Sequence, residues 1–162
     1  MTGTVRDLVL RTPIALLPDT PICEAEQHLI SSQVQEIYVV NAEDHLLGMI
    51  PEVEFLNYRL LGGDGQGRIA ALMGPVEFWL TSQASLQEAA RYFQQPGRSS
   101  LAILEGERFI GQLYRMDLLR LLANGQSDFA MEEIPPTDSC PIPPPKFSYF
   151  KQTGELKHLR TR

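Results

Sequence analysis

FIGQLYRMDLLRLL at residues 109–122 and LLGMIPEVEFLNYRLL at residues 46–61 decide the reading of this chain. Both run from an apolar stretch through a glycine into a segment with an acidic residue and helical apolar spacing. Gly48 matches Gly111, Glu54 matches Asp117, and Phe55-Leu56 matches Leu118-Leu119, all at one separation of 63 residues. The pattern predicts, in each copy, a strand that stops at the glycine and a helix with a carboxylate on its first turn.

The duplication extends outward from these two segments. Ile37-Tyr38-Val39-Val40 matches Leu101-Ala102-Ile103-Leu104, and Ile22-Cys23-Glu24-Ala25 matches Leu86-Gln87-Glu88-Ala89. Pro13-Ile14 matches Pro75-Val76 after a two-residue slip, and Val5-Arg6-Asp7-Leu8 matches Ile69-Ala70-Ala71-Leu72. Leu86, Ala89, Ala90 and Phe93 recur at i, i+3, i+4 and i+7, which is one helical face; Ile22, Ala25 and Leu29 repeat it in the first copy. Asp19-Thr20 and Ser85 offer side-chain oxygens to the helix starts. Each copy therefore reads lead-in, strand, helix, two strands around a polar turn (41–45 and 105–108), and helix, or β-α-β-β-α. A unit of about 55 residues buries little surface alone. The expected fold is α/β (α+β), with two pseudo-symmetric units packed sheet to sheet. The sequence divides as a first unit over 1–61, a flexible glycine-rich linker over 62–68 and a second unit over 69–123. A proline-rich spacer and a basic, aromatic tail follow over 124–162.

Charge sets the tail apart. The net charge of −6 splits into −10 over residues 1–140 and +4 over 141–162, and every lysine lies at or beyond 146. An acidic body is a poor platform for nucleic acid, where affinity comes from cations set against phosphates. Six of the twelve prolines fall within IPPTDSCPIPPP at 134–145, a composition that favours a stiff extended spacer. KFSYFKQTGELKHLRTR then offers Phe147, Tyr149 and Phe150 as a docking arm for a protein partner or for the acidic body, the other reading being a disordered basic end.

Several classes of chemistry find no support. His28, His45 and His158 lie far apart, and Cys23 and Cys140 form no CxxC, so neither a metal site nor a disulfide framework is expected. No nucleophile elbow or His-Glu-x-x-His motif occurs, and no catalytic residue is assigned: the chain reads as a binding protein, not an enzyme. No apolar run reaches membrane-spanning length and the start does not resemble a signal peptide, which points to the cytoplasm and away from the membrane.

The ordered duplication, with its Pro-Ile/Pro-Val starts, Glu-Ala helices, aliphatic strands and Gly-x-x-x-x-x-acid elements, resembles a tandem cystathionine-β-synthase (CBS) domain pair, the Bateman module, over about 5–61 and 69–122. The resemblance implies two clefts related by pseudo-symmetry, a homodimer, and a regulatory role in binding an adenosine-containing ligand: AMP, ADP, ATP or S-adenosylmethionine. No obligatory cofactor is implied. Carried over by position, the ribose-binding carboxylate becomes Asp117 and Glu54, and the hydroxyl that meets phosphate or ribose becomes Tyr114 and Pro51, both departures from the Thr/Ser of the family pattern. Pro75, Val76, Pro13 and Ile14 would form the adenine side, with Gln112 beside Gly111.

Read from the residues, a helix N-terminus at a strand end collects amide donors and partial positive charge that suit a phosphate. Arg98, Ser99 and Ser100 could add a cation and hydroxyls in the second copy, where the first offers Gln35-Glu36. The plainer alternatives stay open: Asp117 and Glu54 as helix-dipole partners, Arg98 as a surface arginine, Phe78 and Trp79 as core or interface. The rival function is a pair that binds no ligand and serves as a dimerisation or interaction scaffold.

Overall fold

The computed structural model describes residues 3–8 and 13–124. The chain forms two compact units, each with its own three-stranded sheet and two helices. The proline-rich spacer and the aromatic tail lie outside the described residues.

In the first unit the elements are β1 (Ala15–Leu16), α1 (Ile22–Ser32), β2 (Glu36–Val40), β3 (Leu46–Pro51) and α2 (Glu52–Leu60). The sheet order is β1-β2-β3, with β1 parallel to β2 and β3 antiparallel to it. The second unit repeats this with β4 (Trp79–Thr81), α3 (Leu86–Phe93), β5 (Ser100–Glu105), β6 (Arg108–Tyr114) and α4 (Arg115–Ala123), in the order β4-β5-β6 and with the same pairing directions. The β-α-β-β-α reading thus describes both units. β2 and β5 are the middle strands, and four consecutive residues of each, Ile37–Val40 and Leu101–Leu104, are buried. That is why they read as continuous aliphatic runs rather than as alternating ones.

The helices sit on these sheets through the faces their periodicity predicts. Leu86, Ala89 and Phe93 of α3 are buried against Leu101, Ile103 and Leu113, while Ile22 and Ala25 of α1 meet Ile37, Val39 and Ile50. Ser85 begins α3 with a full capping box: its Oγ accepts from the Glu88 amide at 3.2 Å, and the Glu88 carboxylate accepts from the Ser85 amide at 2.7 Å. α1 starts differently from the expectation. Its N-cap is Pro21, which has no side-chain acceptor, and neither Asp19 nor Thr20 caps it. The Ile22 and Cys23 amides instead donate to the carbonyls of Gly67 and Gly65, at 2.8 and 3.0 Å.

The glycine-rich segment that supplies those carbonyls is therefore a folded turn rather than a free tether. Gly62 and Gly65 adopt left-handed φ values of 88° and 81°, the conformation that favours glycine. The Tyr58 hydroxyl donates to Asp64 at 3.3 Å and accepts from the Gly65 amide at 3.2 Å. Arg59 holds Glu26 through Nε at 2.8 Å and through Nη2, and donates from Nη1 to the Gly63 carbonyl at 3.0 Å. The Gln66 amide donates to Asp64 at 2.9 Å and holds that carboxyl below the usual carboxylate range.

The two lead-ins also differ from the sequence-order division. Residues 3–8 belong to the second unit: Val5 lies in its core, and the amides of Val5 and Arg6 donate to the carbonyls of Ala84 and Ser82 at 2.9 and 3.1 Å. Ile69, the matching position, lies in the core of the first unit, where Met49 and Gly74 exchange backbone hydrogen bonds of 3.1 and 2.9 Å. Each lead-in thus completes the core that the other repeat's strands build. A short apolar turn has no preference of its own between two similar cores, so chain order did not reveal the exchange.

The strands do not stop at the glycines. Gly48 and Gly111 lie inside β3 and β6, opposite Val39 and Ile103, where each ladder shifts register by one residue. Gly48 is needed for close approach: a Cβ there would stand 2.6 Å from the Gly74 carbonyl oxygen. No helix among the described residues is long and apolar enough to cross a membrane.

Candidate ligand site

At the end of the second sheet, β6 runs through Gly111, Gln112 and Leu113 to Tyr114, and α4 begins at Arg115. Tyr114 is the N-cap residue, with φ −101° and ψ 145°, but its phenol does not cap the helix. The hydroxyl instead donates to Gln112 Oε1 at 3.0 Å, two residues back along the strand. Gln112 is 2% exposed, so this bond serves a side chain already drawn into the interior. Ser100 pairs with Tyr114 across the ladder, and the Ser99 carbonyl accepts the Arg115 amide at 2.9 Å. Ser99, Ser100, Gln112 and Tyr114 are thereby brought together at one sheet end, with Asp117 in the first turn of the helix that leaves it.

Asp117 occupies the position that Glu88 occupies in α3, two residues beyond the first helical residue. Glu88 closes a capping box with Ser85, whereas Asp117 pairs with Arg120 on the same helix at 3.0 Å. The pair offsets the carboxylate charge locally and leaves Asp117 half-buried beside the sheet end. The α4 N-terminus is not wholly open to a ligand, because its first amide is already taken by Ser99.

Arg98 begins the same β5 approach. Gly97, at φ 78°, turns the chain out of α3, and the Arg98 guanidinium then lies over Phe78, 3.3 Å from the ring centroid, and 4.7 Å from that of Tyr92. The two rings pack with centroids 5.3 Å apart. Sequence reasoning treated Phe78 with Trp79 and did not consider Tyr92. The signal was the short, glycine-broken return from α3 to Arg98, which places residue 98 back beside the end of that helix. Trp79 is buried in β4, so it is core. Pro75 is exposed, Val76 is buried, and both fall by contact in the first unit rather than with Asp117.

The first unit has the same frame with different chemistry. The Gln35 carbonyl accepts the Glu52 amide at 2.8 Å, and the Ile14 carbonyl accepts from Tyr38 at 3.0 Å, which brings Ile14, with Pro13 before it, to the same sheet end. Glu36 pairs with Pro51 and accepts from the Tyr38 hydroxyl at 2.8 Å. Pro51 is the N-cap of α2, and Glu54 is half-buried in the first turn. Val34 stands where the second unit has Arg98, so this end carries carboxylates without that cation. No cluster of three or more His, Cys, Asp or Glu side chains that could hold a metal occurs among the described residues.

The CBS domain family model matches the chain twice, over residues 5–60 and 69–124. The chain belongs to the CBS-domain family. Its fold is that of known CBS pairs. AcuB from Vibrio cholerae, whose name refers to acetoin utilization, superposes with a TM-score of 0.69 at 20% identity, over 78% of this chain and 94% of that one. CBSX2, solved in complex with AMP, gives a TM-score of 0.65 at 20% identity, over 76% and 98% of the two chains. The CBS domain pair of MJ0100, solved with 5′-methylthioadenosine and S-adenosyl-L-methionine, gives 0.63 at 17% identity, over 77% and 99%. No curated protein matches the chain by sequence. The two family matches correspond to the two repeats in sequence order, while the compact units exchange the lead-ins.

Proposed function

We propose that this CBS pair is a cytoplasmic regulatory module, not an enzyme, that binds an adenosine-containing ligand at the sheet end of its second unit and passes the ligand state to a partner protein. The observation that carries the reading is the convergence there of Ser99, Ser100, Gln112 and Tyr114 with Asp117 at the start of α4. Two fold neighbours, CBSX2 with AMP and the MJ0100 pair with 5′-methylthioadenosine and S-adenosylmethionine, support adenosine compounds as the class to test. Asp117 accepts the ribose hydroxyls, and the hydroxyls of Ser99 and Ser100 face the rest of the ligand. In the first unit Glu54 holds the position that corresponds to Asp117, and Pro13-Ile14 and Pro75-Val76 form the adenine side. The mechanism is a population shift: the ligand favours whichever conformation it binds better, by no more than its difference in affinity for the two.

A scaffold reading has its own support. α2 exposes Val53, Leu56 and Leu60, and α4 exposes Met116, Leu119 and Leu122, each a stripe at helical spacing left in water. Such faces suit a homodimer, and dimerisation is compatible with either reading. A thermal-shift panel of AMP, ADP, ATP, S-adenosylmethionine, NADH and GTP separates the two. A true ligand at 100 times its dissociation constant adds about 2.7 kcal/mol, or several degrees for a chain of this size. A flat response to the whole panel leaves only the scaffold.

A further inference from the structure

Arg98 differs from the other arginines at known contacts. Arg6, Arg59, Arg68 and Arg120 each meet a carboxylate. Arg98 meets two aromatic faces instead, and its Nη1 is buried without a hydrogen-bond partner among the described residues. An aromatic face attracts a cation but accepts no strong hydrogen bond, so this pose keeps the charge and leaves a donor unsatisfied. A buried polar atom in that condition calls for an explanation, and an anion that supplies the acceptor is one. Guanidinium groups and phosphates fit each other in this way, through parallel charge-assisted bonds.

The position suits that task. Arg98 adjoins Ser99, whose carbonyl holds the first amide of α4, and Phe78 beneath the guanidinium precedes β4, which pairs with β5 from Trp79 opposite Ala102, so the Arg98 backbone, its aromatic rest and the start of α4 belong to the same end of the sheet. The Asp117 charge there is offset by Arg120. In the first unit Val34 replaces Arg98, and Glu36, Glu52 and Glu54 set negative charge at the matching end. A phosphate is favoured at one end and repelled at the other.

We propose that Arg98, held on Phe78 and Tyr92, selects a phosphorylated nucleotide over an unphosphorylated or sulfonium-bearing adenosine compound, and that this happens once per chain, in the second unit. The inference rests on the ligand-binding reading above and narrows it. Phe78 and Tyr92 are positioning residues: they fix the plane of the guanidinium and touch no ligand.

Isothermal titration of the full chain with adenosine, AMP and S-adenosylmethionine tests it. AMP binds one site per chain, roughly 10- to 100-fold tighter than adenosine, the range expected for charge-assisted hydrogen bonds. Arg98→Gln brings AMP down to the adenosine level and leaves adenosine unchanged, while Arg98→Lys keeps part of the difference. Phe78→Leu and Tyr92→Leu shrink the AMP-to-adenosine ratio, which a merely structural loss would not do because it weakens both ligands alike. Equal affinities for AMP and adenosine, tighter S-adenosylmethionine, or an Arg98→Gln loss common to all three would overturn the selectivity while leaving adenosine binding intact. Failure of all three compounds to bind would overturn the ligand-binding reading and this inference together.

Discussion

Replacing Gly48 with alanine tests the exchanged lead-in directly. A Cβ at this position would lie 2.4 Å from Met73 Cγ and 2.6 Å from the Gly74 carbonyl oxygen. The methionine can swing away, but the carbonyl is backbone, tied to Met49 by hydrogen bonds of 3.1 and 2.9 Å. The 72–74 segment must therefore lift from β3. Overpacking of this kind costs about 1–3 kcal/mol, and weakening the two backbone bonds adds about 0.5–1.5 kcal/mol each. A total of about 2–6 kcal/mol corresponds to a fall in melting temperature of roughly 4–24 °C for a chain of this length. Gly74→Ala is the matched control. Its Cβ meets nothing closer than 3.9 Å, so it should melt within about 2 °C of the wild type. Thermal unfolding followed by circular dichroism reads both. If Gly48→Ala melts with the wild type, or if the two alanines do equal damage, residues 72–74 do not pack on the first sheet as described.

Three further outcomes follow from named contacts. Val5→Ala removes two fully buried methyl groups and should cost about 2 kcal/mol, with amide exchange rising at Leu101 and Ile103 and not at Tyr38 and Val39; the opposite pattern would return residues 3–8 to the first unit. Asp64 and Asp7 are held below the ordinary carboxylate range, mainly by the amides of Gln66 and Thr4. Their stabilisation is complete above the unfolded value near pH 4 and is lost as pH falls through the lower folded value. Asp64→Asn, which keeps the acceptor oxygen but does not titrate, should flatten that acid limb, and an unchanged limb would remove the role given to Asp64. Asp117→Ala should weaken AMP binding roughly 10- to 100-fold in a titration, and an unchanged affinity would end its assignment to the ribose.

The elements were legible because they are written in local periodicity: the α3 face at Leu86, Ala89 and Phe93, the Ser85 cap, and the buried runs of β2 and β5 all follow from near neighbours. What escaped is non-local. Val5 and Ile69 are interchangeable as sequence, so only the cores they enter reveal the exchange. The α1 cap comes from Gly65 and Gly67, more than 40 residues away, while Asp19 and Thr20 were the nearer and more obvious candidates. The glycines at 62–67 carry the same letters whether they loosen a tether or supply the left-handed turns of a folded one. Glycine often punctuates a strand, but at Gly111 pairing with Ile103 carries β6 on to Tyr114. At the candidate site, the repeat alone offers Asp117, the approach to the middle strand offers Ser99 and Ser100, and Tyr114 enters only through the family resemblance. The Arg120 pairing and the aromatic rest of Arg98 were not legible, since they depend on side-chain placement rather than on spacing.

Chemical-shift mapping of the isotopically labelled full chain with AMP tests the central claim most directly. The account predicts saturable shifts concentrated at Ser99, Ser100 and Gln112 through Asp117. Shifts confined to other surfaces, such as the outer face of α1 around His28 and Ile30, or no shifts at millimolar AMP, would contradict it.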